Sequence, residues 1–141
     1  MTALDTTFAR RCIHTLSQAL ATLGQKDLDV VTHDIYRAAC IKEFEIVSEQ
    51  CAKLLKKALS PYLSSARAVD ALTYKDVFRH AAKHSLISLE AAERWLVYRD
   101  HRNQSAHEYG QNYADAILVF LPEFLCDANA LLQAVEAAPK D

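Results

Sequence analysis

The chain has 141 residues, of which 51% are hydrophobic and 24% charged, with a formal net charge of −2. That length predicts one domain, able to bury roughly 68% of its unfolded surface. Only two glycines and three prolines occur, so neither a phosphate-binding G-x-x-x-x-G-K-[ST] loop nor a dinucleotide-binding G-x-G-x-x-G turn can be written. The charge offers no global basic field to gather nucleic acid, so any such contact must be local.

Apolar residues recur at three- and four-residue spacing along most of the chain, which predicts an all-α fold. The first helix is expected from Leu4 to Leu23, carried by Phe8, Cys12, Leu16, Ala19, Leu20 and Leu23, with Gly24 ending it. A long second helix is expected from Thr32 to Leu59, ended by Ser60-Pro61 because a residue before proline avoids the α region. Its lysines, Lys53, Lys56 and Lys57, favour the negative end of the helix dipole. Residues Pro61 to Leu72 are small and polar, suiting a short helix or loop. Thr73 and Asp76 have the spacing of an N-cap and its N3 partner, opening a short helix that runs to about His84. His80 and His84 have the i, i+4 spacing of a metal pair, but no third ligand lies near them, and a partly solvated helix face explains them as well. A further helix starts at Ser88, with Glu90 in its first turn and Gly110 as a C′ residue. Asn112 is expected to cap a last helix from Tyr113 to about Ala137, kinked at Pro122, with a frayed tail from Ala138 to Asp141.

Four main helices with short connections point to an up-and-down bundle. The four cysteines, Cys12, Cys40, Cys51 and Cys126, make no C-x-x-C pair and sit in apolar helical contexts, which predicts reduced core thiols in a cytoplasmic protein. The N-terminal residues show no signal peptide, and no run reaches the roughly 18 apolar residues of a membrane span. No cofactor and no metal is implied.

The chemistry concentrates at the end of the helix that begins at Ser88. At about 100° per residue, Leu89, Ala92 and Leu96 define an apolar stripe that continues through Asp100, Asn103 and His107. Trp95, Arg99, Arg102, Ala106 and Tyr109 form the neighbouring face. A core-facing stripe that turns polar needs partners for its buried groups, and a second copy packed there would supply them. Arg99, His101 and Arg102 add a small basic cluster. The same spacing also suits a purely structural helix end, with His107 complementing the dipole for about 0.3–1 kcal/mol and Tyr109 packing on Trp95 or Tyr113.

The run Arg102-Asn103-x-x-x-His107-x-Tyr109 resembles the R-x4-H-x-Y signature of HEPN-domain proteins, in particular the HepT-like toxins and the nucleotidyltransferase substrate-binding-type proteins. The stretch from Lys42 to Lys53 resembles the F-E-x-x-x-E-x-x-x-K run in the second helix of the substrate-binding-type branch, and Trp95 fits that branch too. The likeness spans most of the chain in helix order. It implies a four- to five-helix bundle over residues 1–141, a homodimer whose motif helices face each other, and a nucleotidyltransferase antitoxin partner on a separate chain. It also implies metal-independent RNA cleavage, with tRNA or mRNA as substrate. Arg102 and His107 are then the catalytic pair, Asn103 and Asp100 support them, and Tyr109 is the acceptor of a silencing AMP. Glu45 and Glu49 are candidate partners for Arg102. The alternative under the same resemblance is a noncatalytic accessory subunit of a nucleotidyltransferase.

Overall fold

A computed structural model describes residues 4–104 and 111–138. Among these, every regular element is helical: α1 (Thr7–Leu23), α2 (Val30–Ala58), α3 (Ala66–Asp70), α4 (Tyr74–Lys83), α5 (Leu89–Gln104) and α6 (Gln111–Ala137), with a 3-10 turn at Ser60–Tyr62. The four long helices are those expected, and the small polar segment after Pro61 holds the 3-10 turn and α3. No helix among the described residues is long and apolar enough to cross a membrane.

Local chemistry sets most helix ends. Thr73 and Asp76 close a reciprocal capping box, each side chain accepting from the other's backbone N–H, at 3.2 Å and 3.1 Å. Ser88 Oγ accepts from the Ala91 N–H at 3.0 Å. Two starts differ from expectation. Asp29 rather than Thr32 begins the second helix, accepting from the Thr32 N–H at 2.7 Å. Gln111 already belongs to α6, so Asn112 lies inside that helix and does not cap it. The end of α4 is a Schellman turn: the Leu86 N–H reaches the Ala81 carbonyl, the Ser85 N–H reaches the Ala82 carbonyl, and Ser85 takes a left-handed φ of 62°. α6 runs unbroken through Pro122, whose missing N–H leaves the Leu118 carbonyl without its helical donor.

Aromatic rings weld the bundle at its middle. Phe44 of α2 meets Phe124 of α6 edge-on at 4.8 Å, and Trp95 of α5 meets Phe124 at 5.4 Å and Phe78 of α4 at 5.3 Å. Such pairs add about 0.5–1.5 kcal/mol beyond the area they bury. The contacts also give direction. Arg94 pairs with Asp127 and His101 with Phe120, so α5 runs antiparallel to α6. Arg10, at the start of α1, holds Glu136, near the end of α6, with two bonds of 2.7 Å, and Thr6 donates to the same carboxylate at 2.6 Å.

The cysteines are all free. Cys12, Cys40 and Cys51 are core thiols, and burial pushes Cys40 up to about 11 and Cys51 up to about 12. Cys126 departs from expectation: it is exposed on the outer face of α6.

Candidate functional site at the end of α5

α5 is fixed to the bundle by its tryptophan and tyrosine. Ala92, Trp95 and Tyr98 recur at three-residue spacing and are buried, Trp95 completely. The stripe expected to face the core, Leu89–Ala92–Leu96–Asp100–Asn103, is buried only at Ala92. Leu89 is 62% exposed, and Asp100 and Asn103 are both exposed. The helix is rotated so that the two large aromatic side chains, which bury the most apolar area, take the core positions.

Asp127 of α6 sets that rotation. Its carboxylate is only 7% exposed. Arg94 donates to both of its oxygens, each at 2.8 Å, and the Tyr98 hydroxyl donates to it at 2.6 Å. Arg94 and Tyr98 lie one turn apart, so a single buried carboxylate clasps two successive turns of α5. Burial, then the bond to Asp127, holds the Tyr98 phenol protonated well above the ordinary range. Asp127 was open to discovery in the sequence: it interrupts the apolar run Phe124, Ala128, Leu131 with a charge that must be paired.

Beyond this clasp the helix end carries its polar groups. Arg99 is exposed, and its guanidinium carbon lies over the Tyr74 ring of α4, 5.0 Å from the centroid. Arg102, one turn on, is half-buried. Burial pushes the Tyr74 phenol far up, and the nearby positive charges of Arg102 and Arg99 partly oppose that shift. The His101 ring packs 4.8 Å from Phe120. On α4 and α5, the Tyr74 hydroxyl, His80 Nδ1, Trp95 Nε1 and His101 Nδ1 are buried and have no hydrogen-bond partner among the described residues. Buried polar groups are ordinarily satisfied, so His101 near the end of α5 and Tyr74 beneath Arg99 stand out as polar groups with a bond still to make.

The predicted site residues divide accordingly. Arg102 is half-buried, close enough to α4 for its charge to act on Tyr74, and Asn103 and Asp100 are exposed. His107 and Tyr109 lie outside the described residues, as does Gly110. Glu49 is exposed and pairs with Lys53 on its own helix at 3.2 Å, an i, i+4 pair, because α2 turns Phe44, Val47 and Cys51 inward. Glu45 is half-buried. The His80 and His84 rings are parallel, 6.3 Å apart, and His84 stacks on Tyr62 at 4.3 Å. No group of three metal-binding side chains exists among the described residues.

A family model, nucleotidyltransferase substrate binding protein like, matches residues 5–137, and the chain belongs to that family. It is 31% identical over 103 residues to a Haemophilus influenzae protein named as a probable ribonuclease HepT, a match covering 73% of this chain and 69% of the relative. Among solved structures, it superposes with a TM-score of 0.83 on a Haemophilus influenzae protein described as the fold of a substrate binding domain of a nucleotidyltransferase, at 25% identity, over 93% of this chain and 98% of that one. A Thermus thermophilus structure matches with a TM-score of 0.70, at 25% identity, over 90% of this chain and 98% of that one. The likeness read from the arginine–histidine–tyrosine run is thereby borne out at the level of family and fold.

Proposed function

We propose that this chain is a HepT-like endoribonuclease, acting without a metal as one homodimeric HEPN domain over residues 1–141. The observation that supports it most is the place of Arg102. It stands half-buried in the last turn of a helix locked by Trp95 and Tyr98, one turn from the exposed Arg99, in a chain that carries R-N-x-x-x-H-x-Y and has a relative named as a ribonuclease.

Cleavage needs a base and a cation. His107 takes the proton from an RNA 2′-hydroxyl, since an imidazole titrates near neutrality. The freed oxygen attacks the adjacent phosphorus, the bond to the 5′-oxygen breaks, and that oxygen takes up a proton, leaving a 2′,3′-cyclic phosphate on one product and a 5′-hydroxyl on the other. Arg102 stabilises the extra negative charge of the crowded phosphorus with its planar fork. Asn103 orients the imidazole or the phosphate, and Asp100 holds the histidine tautomer or an arginine. The exposure of Asp100 and Asn103 in the single chain suits a cleft completed by a second copy, with motif helices face to face. A nucleotidyltransferase on another chain silences the site: the Tyr109 hydroxyl attacks the α-phosphorus of ATP, pyrophosphate leaves, and the bound AMP fills the cleft.

The test is cleavage of tRNA and mRNA by the purified chain in excess EDTA, beside Arg102→Ala and His107→Ala. Cutting that survives EDTA and disappears in both variants, with helix content unchanged, is the expected result. Cutting that persists in either variant refutes the mechanism. A second reading, an accessory subunit that binds substrate for a nucleotidyltransferase, is favoured by the description of the matching family. It prevails if the unmodified protein, checked at Tyr109 by mass spectrometry, folds and cuts nothing.

A further inference from the structure

We propose that Arg99, seated on the ring of Tyr74, is a second backbone-phosphate site, binding the RNA strand at a phosphate next to the one that Arg102 serves. The inference rests on the nuclease reading and extends it to how the strand is held.

The arginines differ in how they are anchored. Arg10, Arg37 and Arg94 are each held by a carboxylate, and a carboxylate cancels the charge that it orients. Arg99 is held by an aromatic face, 5.0 Å from its centroid. A ring quadrupole orients a guanidinium without neutralising it, and the flat fork keeps its N–H edges free for an anion's oxygens. The seat is rigid. Tyr74 follows directly on the Thr73–Asp76 capping box and packs on Phe78 at 4.8 Å, which stacks on Trp95 at 5.3 Å.

Arg99 and Arg102 stand one helical turn apart at the same end of α5, about 5–6 Å between Cβ atoms. Their long side chains can therefore meet successive phosphates of an extended strand. They also sit at the negative end of the α5 dipole, which by itself repels an anion. The half charge of the dipole and the exposed Asp100 carboxylate together outweigh one arginine, and a second arginine tips the helix end positive. A chain with a net charge of −2 has no broad field to hold RNA, so a second fixed cation is what such a strand requires.

The test uses a fluorescein-labelled 2′-O-methyl oligoribonucleotide, which lacks the attacking hydroxyl and cannot be cut, titrated by anisotropy across a salt series. Arg99→Ala is expected to weaken binding about tenfold at low salt and to reduce the slope of log K against log salt by about 0.7, the loss of one single-strand phosphate contact. Tyr74→Leu is expected to do nearly the same, and Tyr74→Phe, which keeps the ring, to restore most of the loss. With cleavable RNA, Arg99→Ala raises KM and leaves kcat within about twofold, unlike Arg102→Ala. Because Tyr74 is largely buried and Arg99 exposed, Arg99→Ala alone decides the matter if Tyr74→Leu does not fold. Wild-type affinity and slope in Arg99→Ala overturn the site, as does a wild-type protein that binds no strand. Binding that loses one contact in Arg99→Ala, from a protein that cuts nothing, sinks the nuclease reading and leaves the phosphate site standing.

Discussion

Asp127→Ala is the most informative perturbation of the scaffold. It removes the acceptor of two arginine bonds of 2.8 Å and one tyrosine bond of 2.6 Å, at a site 7% exposed. Deleting one partner of a buried charged pair costs about 3–5 kcal/mol, because the other charge is stranded. Here the Arg94 side chain is 38% exposed and can rehydrate, so that figure must be lowered. The Tyr98 hydroxyl, 2% exposed as a residue, cannot, and keeps only a long 3.5 Å bond to Glu123 Oε1; a buried hydroxyl left without a good partner costs about 1–3 kcal/mol. The sum is a loss of about 2–3 kcal/mol. At roughly 2.1 cal/mol/K per residue of unfolding entropy, this lowers Tm by about 7–10 °C. Calorimetry of the variant measures it directly. A double-mutant cycle with Tyr98→Phe should return a coupling of about 1–2 kcal/mol, because the two groups share one bond. A loss under about 0.5 kcal/mol, or additive single effects, would refute the claim that this carboxylate fixes the rotation of α5.

Other outcomes follow from the same geometry. Glu136 is held down to about 2 by Arg10 and then Thr6; its folded value lies below the unfolded one, so its contribution is present above about pH 4.5 and is lost as the pH falls toward 2. Because both side chains of the ion pair are more than a third exposed, solvent screening keeps that contribution to about 1 kcal/mol or less, and Glu136→Gln should flatten the acid limb of denaturant-derived stability by that amount. Ser85→Gly should raise stability by about 1 kcal/mol in urea unfolding, since glycine takes the left-handed conformation at the end of α4 without steric cost; destabilisation would show that the serine side chain is needed there. Tyr74 and Tyr98 are both shifted upward, first by burial, so the stability of their neutral forms is intact below about pH 10 and is lost as the pH rises beyond it. Tyrosinate absorbance, compared between the wild type and Tyr74→Phe and Tyr98→Phe, should show these two phenols titrating only as the protein unfolds.

What the sequence determined by itself was chiefly local. Thr73 with Asp76 and Ser88 with Ala91 are caps closed within four residues, and such bonds form wherever the helix forms. The four long helices follow from three- and four-residue apolar spacing, and the family follows from the run at Arg102 and the patch from Lys42 to Lys53. The rotation of α5 was decided by tertiary structure. A wheel drawn from Leu89, Ala92 and Leu96 counts apolar residues, whereas the fold weighs buried area and available partners. Phe78 and Phe124 offered a seat for Trp95, and Asp127 offered an acceptor for Arg94 and Tyr98. Those partners lie 17 to 33 positions away in sequence, so no local pattern carries them. The same rotation sets Asp100 and Asn103 on the surface and brings Arg99 over Tyr74, because turning a helix about its axis moves every side chain it bears.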